Sequence, residues 1–198
     1  MYRSSDEYDR MKKLAIAIIE DYGITADDYP LDVKALCSKM KINVVPYSAY
    51  EDEGVDLLLK KSIDGFNIPR STAQEAVIMI NDKYGTHLSP ARISQTLGHE
   101  IKHIVEEDTD DSEDDLCDYF SKYLRCPIPL VLYMGIVSSL ELISRFGISF
   151  EQATYVLSNI INRRAKYGDS FFEFEVELLR QLLGDSFDDS GVETIEKE

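Results

Sequence analysis

Tryptophan is absent from this chain of 198 residues, and histidine and cysteine number only three each. Three cysteines, Cys37, Cys117 and Cys126, are an odd count with no paired spacing. They exclude a disulfide framework and point to a reducing, cytoplasmic setting. There is no apolar run of the roughly 18 residues that a bilayer span requires. The chain is also poor in positive charge, with 21 Lys and Arg against 37 Asp and Glu, so the net charge is 21 − 37 = −16. That excess disfavours direct nucleic-acid binding, which needs basic side chains against phosphate, and equally an anionic membrane surface. The opening residues are polar and acidic, unlike a secretory or mitochondrial leader. What is present is a 44% apolar composition, enough to bury a core.

Apolar spacing predicts an amphipathic helix over 7–22, with Met11, Leu14, Ile18 and Ile19 on one face. A second helix is expected over 31–41. Short strands are expected at 42–47, 55–59 and 76–81, with 62–75 as a loop or ragged hairpin. Ser89 and Pro90 form a helix start, because a serine can cap and proline suits the first helical position. That helix should run to about Glu106. An acidic connection follows, then a helix over 112–126 that stops at Pro127 and Pro129. Further helices are predicted over 129–145, 149–166 and 169–183, and 184–198 reads as a disordered tail. The fold class is therefore α+β, helix-rich with about three strands.

The chemistry concentrates at His99-Glu100-Ile101-Lys102-His103, an HExxH motif on a predicted helix. Residues four apart on a helix lie one turn apart on the same side, so both imidazoles can converge on one metal ion. Glu100 can then act as general base towards water on the ion. Ile93, Leu97, Ile101 and Ile104 mark the opposite side, so the histidine side should face a cleft. A third ligand is needed. The candidates are downstream acids: Glu113, Asp114, Asp115 and Asp118. Asp114 and Asp118 are four apart and share a face with Cys117, so one carboxylate can bind metal while the other orients a ligand histidine. His87, Tyr84 and Arg92 are candidates for stabilising an oxyanion, with His87 preferred.

From about residue 29 to 165 the order of features resembles the ImmA/IrrE family of metallo-endopeptidases. The matching features are a Pro-initiated helix at Pro30, strands Ile42–Val45 and Ile78–Asn81, and Arg92 ahead of His99–His103. Asp114, Cys117, Asp118 and Phe120 then lead to Pro127, and Leu140–Ser149 follows. The resemblance implies a zincin-like core over 1–126 with a helical part over 127–183 packed on the same domain. It implies Zn²⁺ held by His99 and His103, Glu100 as the catalytic base, and Asp114 as third ligand with Glu113 as the alternative. Asp118 falls in the second ligand layer. Cys117 takes a position where the family has a small residue, and it reads either as a small buried side chain or as a thiol competing for metal. The implied activity is zinc-dependent cleavage of a helix-turn-helix transcriptional repressor of a mobile element or stress response. The alternative is a non-catalytic, metal-stabilised regulator or toxin–antitoxin component that sequesters such a repressor.

Overall fold

A computed structural model describes residues 3–72, 74–85, 88–107 and 111–195. In chain order the helices are α1 (Ser5–Asp21), α2 (Val33–Lys39), α3 (Asp52–Lys61), α4 (Pro90–Val105), α5 (Asp114–Arg125), α6 (Ile128–Tyr133), α7 (Ser139–Phe146), α8 (Phe150–Tyr167) and α9 (Glu173–Leu183). The strands are β1 (Asn43–Pro46), β2 (Gly65–Ile68), β3 (Val77–Ile80), β4 (Phe171–Phe172) and β5 (Thr194–Ile195). The protein is a helix-rich α+β fold with a small mixed sheet. Among the described residues no helix is long and apolar enough to cross a membrane.

The chain divides into two units, Met1–Lys13 with Asp32–Lys122, and Leu14–Leu31 with Tyr123–Glu198. Helices α1 and α5 each begin in the first unit and end in the second. The expected parts are 1–126 and 127–183 of one domain; in this partition residues 14–31 group with the C-terminal half. The reason is visible within the second unit. The buried Tyr29 hydroxyl donates to the Leu124 carbonyl at 3.1 Å, and its ring meets Phe146 edge-on at 5.4 Å. Arg145 also donates to the carbonyl of Ala26 at 3.2 Å.

In the first unit the sheet order is β1-β3-β2, with β1 parallel and β2 antiparallel to β3. β3 is central, and Ile78, Met79 and Ile80 are buried as a continuous apolar run should be. Gly65 lets α4 approach β2. A side chain there would meet the Met79 carbonyl oxygen at 2.7 Å and Thr96 Cγ2 at 3.0 Å. Two expectations fail here. Residues 55–59 are helical, within α3, because Asp52 and Glu53 at its start and Lys60 and Lys61 at its end suit the helix dipole. The third strand is instead β2, inside the segment read as a loop or ragged hairpin, and it pairs antiparallel with β3.

In the second unit α6 and α7 replace the single helix expected over 129–145. The chain turns between them at Gly135, with φ of +66°, a conformation that favours glycine. Arg125 is buried there. Its guanidinium donates to Gln152 Oε1 at 3.3 Å and to the Gly147 carbonyl at 3.2 Å, and burial lowers its pKa to about 10. The described part of the expected tail, 184–195, has structure of its own. Phe187 packs on Tyr133 at 5.3 Å, and β5 runs parallel to β4. Apolar side chains inside an acidic stretch anchor what charge alone would leave loose.

Candidate metal centre

Helix α4 begins where the sequence indicates. Ser89 Oγ accepts the Arg92 amide at 3.1 Å, and Pro90 occupies the first turn. The helix then packs closely against α5. Gly98 makes that approach possible, since a methyl group at this position would collide with Ser121 Oγ. Ser121 Oγ itself donates to the Gln95 carbonyl at 2.8 Å, which ties the two helices together. The close approach brings one face of α4, residues 99 and 103, against one face of α5, residues 114, 117 and 118.

Four-residue and three-residue spacings put these groups on facing helix sides. One donor atom from each of His99, His103 and Cys117 lies within 4.8 Å of the others. Cys117 Sγ is 3.4 Å from His103 Nε2. Ligands at 2.0–2.3 Å from a shared tetrahedral centre stand about 3.5 Å apart, so this spacing fits a single ion. Two imidazoles and a thiol also fit a borderline-soft divalent ion and not Mg²⁺ or Ca²⁺, which take oxygen ligands. These three residues form a candidate metal-binding triad.

The acids around it divide by task. Asp118 Oδ1 lies 3.0 Å from His99 Nδ1. Burial works against ionisation of Asp118, yet the His99 hydrogen bond and charge, helped by Lys122 and Gln95, hold its pKa below the usual carboxylate value. An ionised Asp118 accepts the Nδ1 proton and so leaves Nε2 of His99 with its lone pair free for metal. For His99, burial disfavours the cation, but the bond to Asp118 and the charges of Glu100, Asp118 and Asp114 outweigh it and raise its pKa. Asp114 Oδ1 stands 3.6 Å from His99 Nε2 and 3.8 Å from His103 Nε2, with its side chain 58% exposed. Glu113 is turned elsewhere, to Lys102 Nζ at 2.6 Å and Arg10 at 3.2 Å. The Lys102 hydrogen bond is the main reason its pKa is lowered.

Glu100 is buried and its Oε2 accepts from Asn67 Nδ2 on β2 at 2.8 Å. Burial on α4 extends beyond its apolar side. His103 and Lys102 are buried as well as Leu97 and Ile101, so α4 is covered on nearly every side. His87 lies outside the described residues. Arg92 donates through Nε to Asp64 Oδ1 at 3.0 Å. Tyr84 sits in a loop held by Asn81, whose Nδ2 donates to the carbonyls of Ile63 and Tyr84.

Three contributors escape sequence reasoning: Asn67, Lys102 and Gly98. Asn67 falls in a stretch with no strand pattern. Lys102 looks like an ordinary surface residue of a motif. The Gly immediately before His99 was a visible signal, because a helical glycine often marks close packing.

Comparison of the chain with family models, curated proteins and solved structures returns no match.

Proposed function

We propose that this chain is a zinc-dependent endopeptidase acting on a protein partner, a helix-turn-helix transcriptional repressor. The observation that carries the reading is the convergence of the His99, His103 and Cys117 donor atoms, with Glu100 next to His99 on α4. Bound zinc supplies Lewis-acid polarisation of a carbonyl and of water. The chain's own residues supply the rest. Asp118 fixes the His99 tautomer. Glu100 takes a proton from water and passes it to the leaving amine. Asn67 holds one oxygen of Glu100 and leaves the other for that proton. The net charge of −16 favours encounter with a basic, DNA-binding partner.

Glu100→Gln tests the reaction. Zinc content should stay at wild-type level while cleavage of a repressor encoded beside it falls by about 10² to 10⁴, the usual contribution of a general base. Wild-type cleavage by the variant would refute the mechanism.

One observation favours a second reading, that of a non-catalytic, metal-stabilised regulator which sequesters the repressor. His103 and Glu100 are 5% and 7% exposed, little access for a peptide. Co-purification of the repressor followed by mass measurement separates the two: fragments mean proteolysis, and an intact stoichiometric partner means sequestration.

A further inference from the structure

The resemblance places a carboxylate, Asp114, as the third metal ligand. Asp114 Oδ1 does stand at ligand spacing from both imidazoles, 3.6 Å from His99 Nε2 and 3.8 Å from His103 Nε2, but burial points to a different atom. Cys117 is wholly buried on the inner side of α5, with Sγ 3.4 Å from His103 Nε2, and its donor atom belongs to the same group as those of both histidines. Asp114 stands three residues earlier on the same helix face, more than half exposed. A catalytic metal keeps one position open to water or substrate, and that position has to be reached from solvent. By that rule the interior position belongs to the thiol and the solvent-side position to Asp114.

We propose that Cys117, as its thiolate, is the third protein ligand, and that Asp114 is an exchangeable neighbour on the open side. The inference rests on the metal-binding reading above and deepens it. Binding forms a metal–sulfur bond and releases the thiol proton to solvent, so the ion compensates a negative charge that would be costly to bury alone. A His₂Cys set selects a borderline or soft divalent ion such as Zn²⁺, Co²⁺ or Fe²⁺. It also leaves Asp114 free to give way to an incoming oxygen ligand.

The test uses the full chain loaded with Co²⁺, because a thiolate bound to Co²⁺ gives a charge-transfer band in the near ultraviolet that imidazole and carboxylate ligands do not. The wild-type protein should bind one Co²⁺ and show the band. Zinc X-ray absorption should show a sulfur neighbour at about 2.3 Å. Cys117→Ser and Cys117→Ala should both lose the band and bind metal about a hundredfold more weakly, the upper end of what even outer-layer changes cause. Asp114→Ala should keep the band, and its Co²⁺ spectrum should respond to acetohydroxamate at lower concentration than that of the wild type. Circular dichroism on all three variants separates ligand loss from misfolding. One Co²⁺ bound without the band, with affinity lost in Asp114→Ala, overturns the inference while leaving the metalloprotein reading intact. A wild-type chain that binds neither Co²⁺ nor Zn²⁺ overturns both.

Discussion

Lys102 and His103 are adjacent in sequence, yet they serve two clusters balanced in opposite ways. Lys102 is completely buried and bonds Glu106 at 3.1 Å and Glu113 at 2.6 Å, while Arg10 closes the group from α1. Acids and bases there compensate each other. The cluster around His103 gathers Glu100, Asp114 and Asp118 about two imidazoles and a thiol. It carries excess negative charge and donor atoms, the electrostatic profile of a site awaiting a cation. One flank of α4 is thus complete in itself and fixes the start of α5. The adjacent flank offers the donor atoms of a candidate metal-binding triad. The difference teaches that burial of charge does not by itself mark function; the sign balance of the buried group does.

Removing metal should break the comparison most visibly. At a thousandfold excess of Zn²⁺ over its dissociation constant, binding adds about 4 kcal/mol to stability. A chelator should therefore lower the melting temperature, and a melting curve unaffected by chelator would erase the contrast between the clusters. Lys102→Met should be next in size. It leaves Glu106 and Glu113 with Arg10 as their shared cation and an excess negative charge beside a buried side chain, and should cost about 3 kcal/mol in denaturant unfolding. Its loss should be the same with and without zinc, since the ion does not touch that flank.

A smaller effect is expected from Asp118→Asn, which removes the acceptor that orients His99. Metal affinity measured by chelator competition should fall tenfold to a hundredfold. The smallest effect is one of pH. His99 has a raised pKa, so the stability it contributes in the metal-free chain is full below the ordinary imidazole value of about 6.5 and is lost as pH rises through the raised value. Asp118 has a lowered pKa, so its contribution is present above the ordinary Asp value and is lost as pH falls through the lowered one. The pair therefore stabilises the apo chain between those limits. Protons and metal compete for His99, so the zinc-loaded chain should instead lose stability on acidification through the raised pKa. Melting temperatures of both forms against pH should diverge in that window, and parallel curves would contradict the assignment.

Much of this was legible in the sequence for local reasons. Ser89 and Pro90 start α4 because capping depends only on nearby residues, and Val77–Ile80 form the central strand because four consecutive apolar residues leave little alternative. The spacing of 114, 117 and 118 already placed a thiol and two carboxylates on one face. What could not be read is distance across elements. Asn67 reaches Glu100 only because β2 pairs with β3 in a particular register, Asn67 opposite Ile78. The preference for Cys117 depends on how deep each side chain lies, which helical spacing does not encode. Val55–Leu59 misled because three consecutive leucines satisfy a strand pattern as well as a helix, and the flanking charges decided the outcome.

Gly98 sets a tolerance on the whole arrangement. The helix it belongs to and the helix carrying Ser121 are separated by little more than a backbone and a hydroxymethyl group. Both histidines ride on one helix and the sulfur on the other. Any widening of the gap would therefore move Cys117 away from the histidines while leaving the distance from His99 to His103 unchanged. Position 98 acts as a spacer gauge: the missing methyl group keeps a two-histidine pair within reach of its third donor.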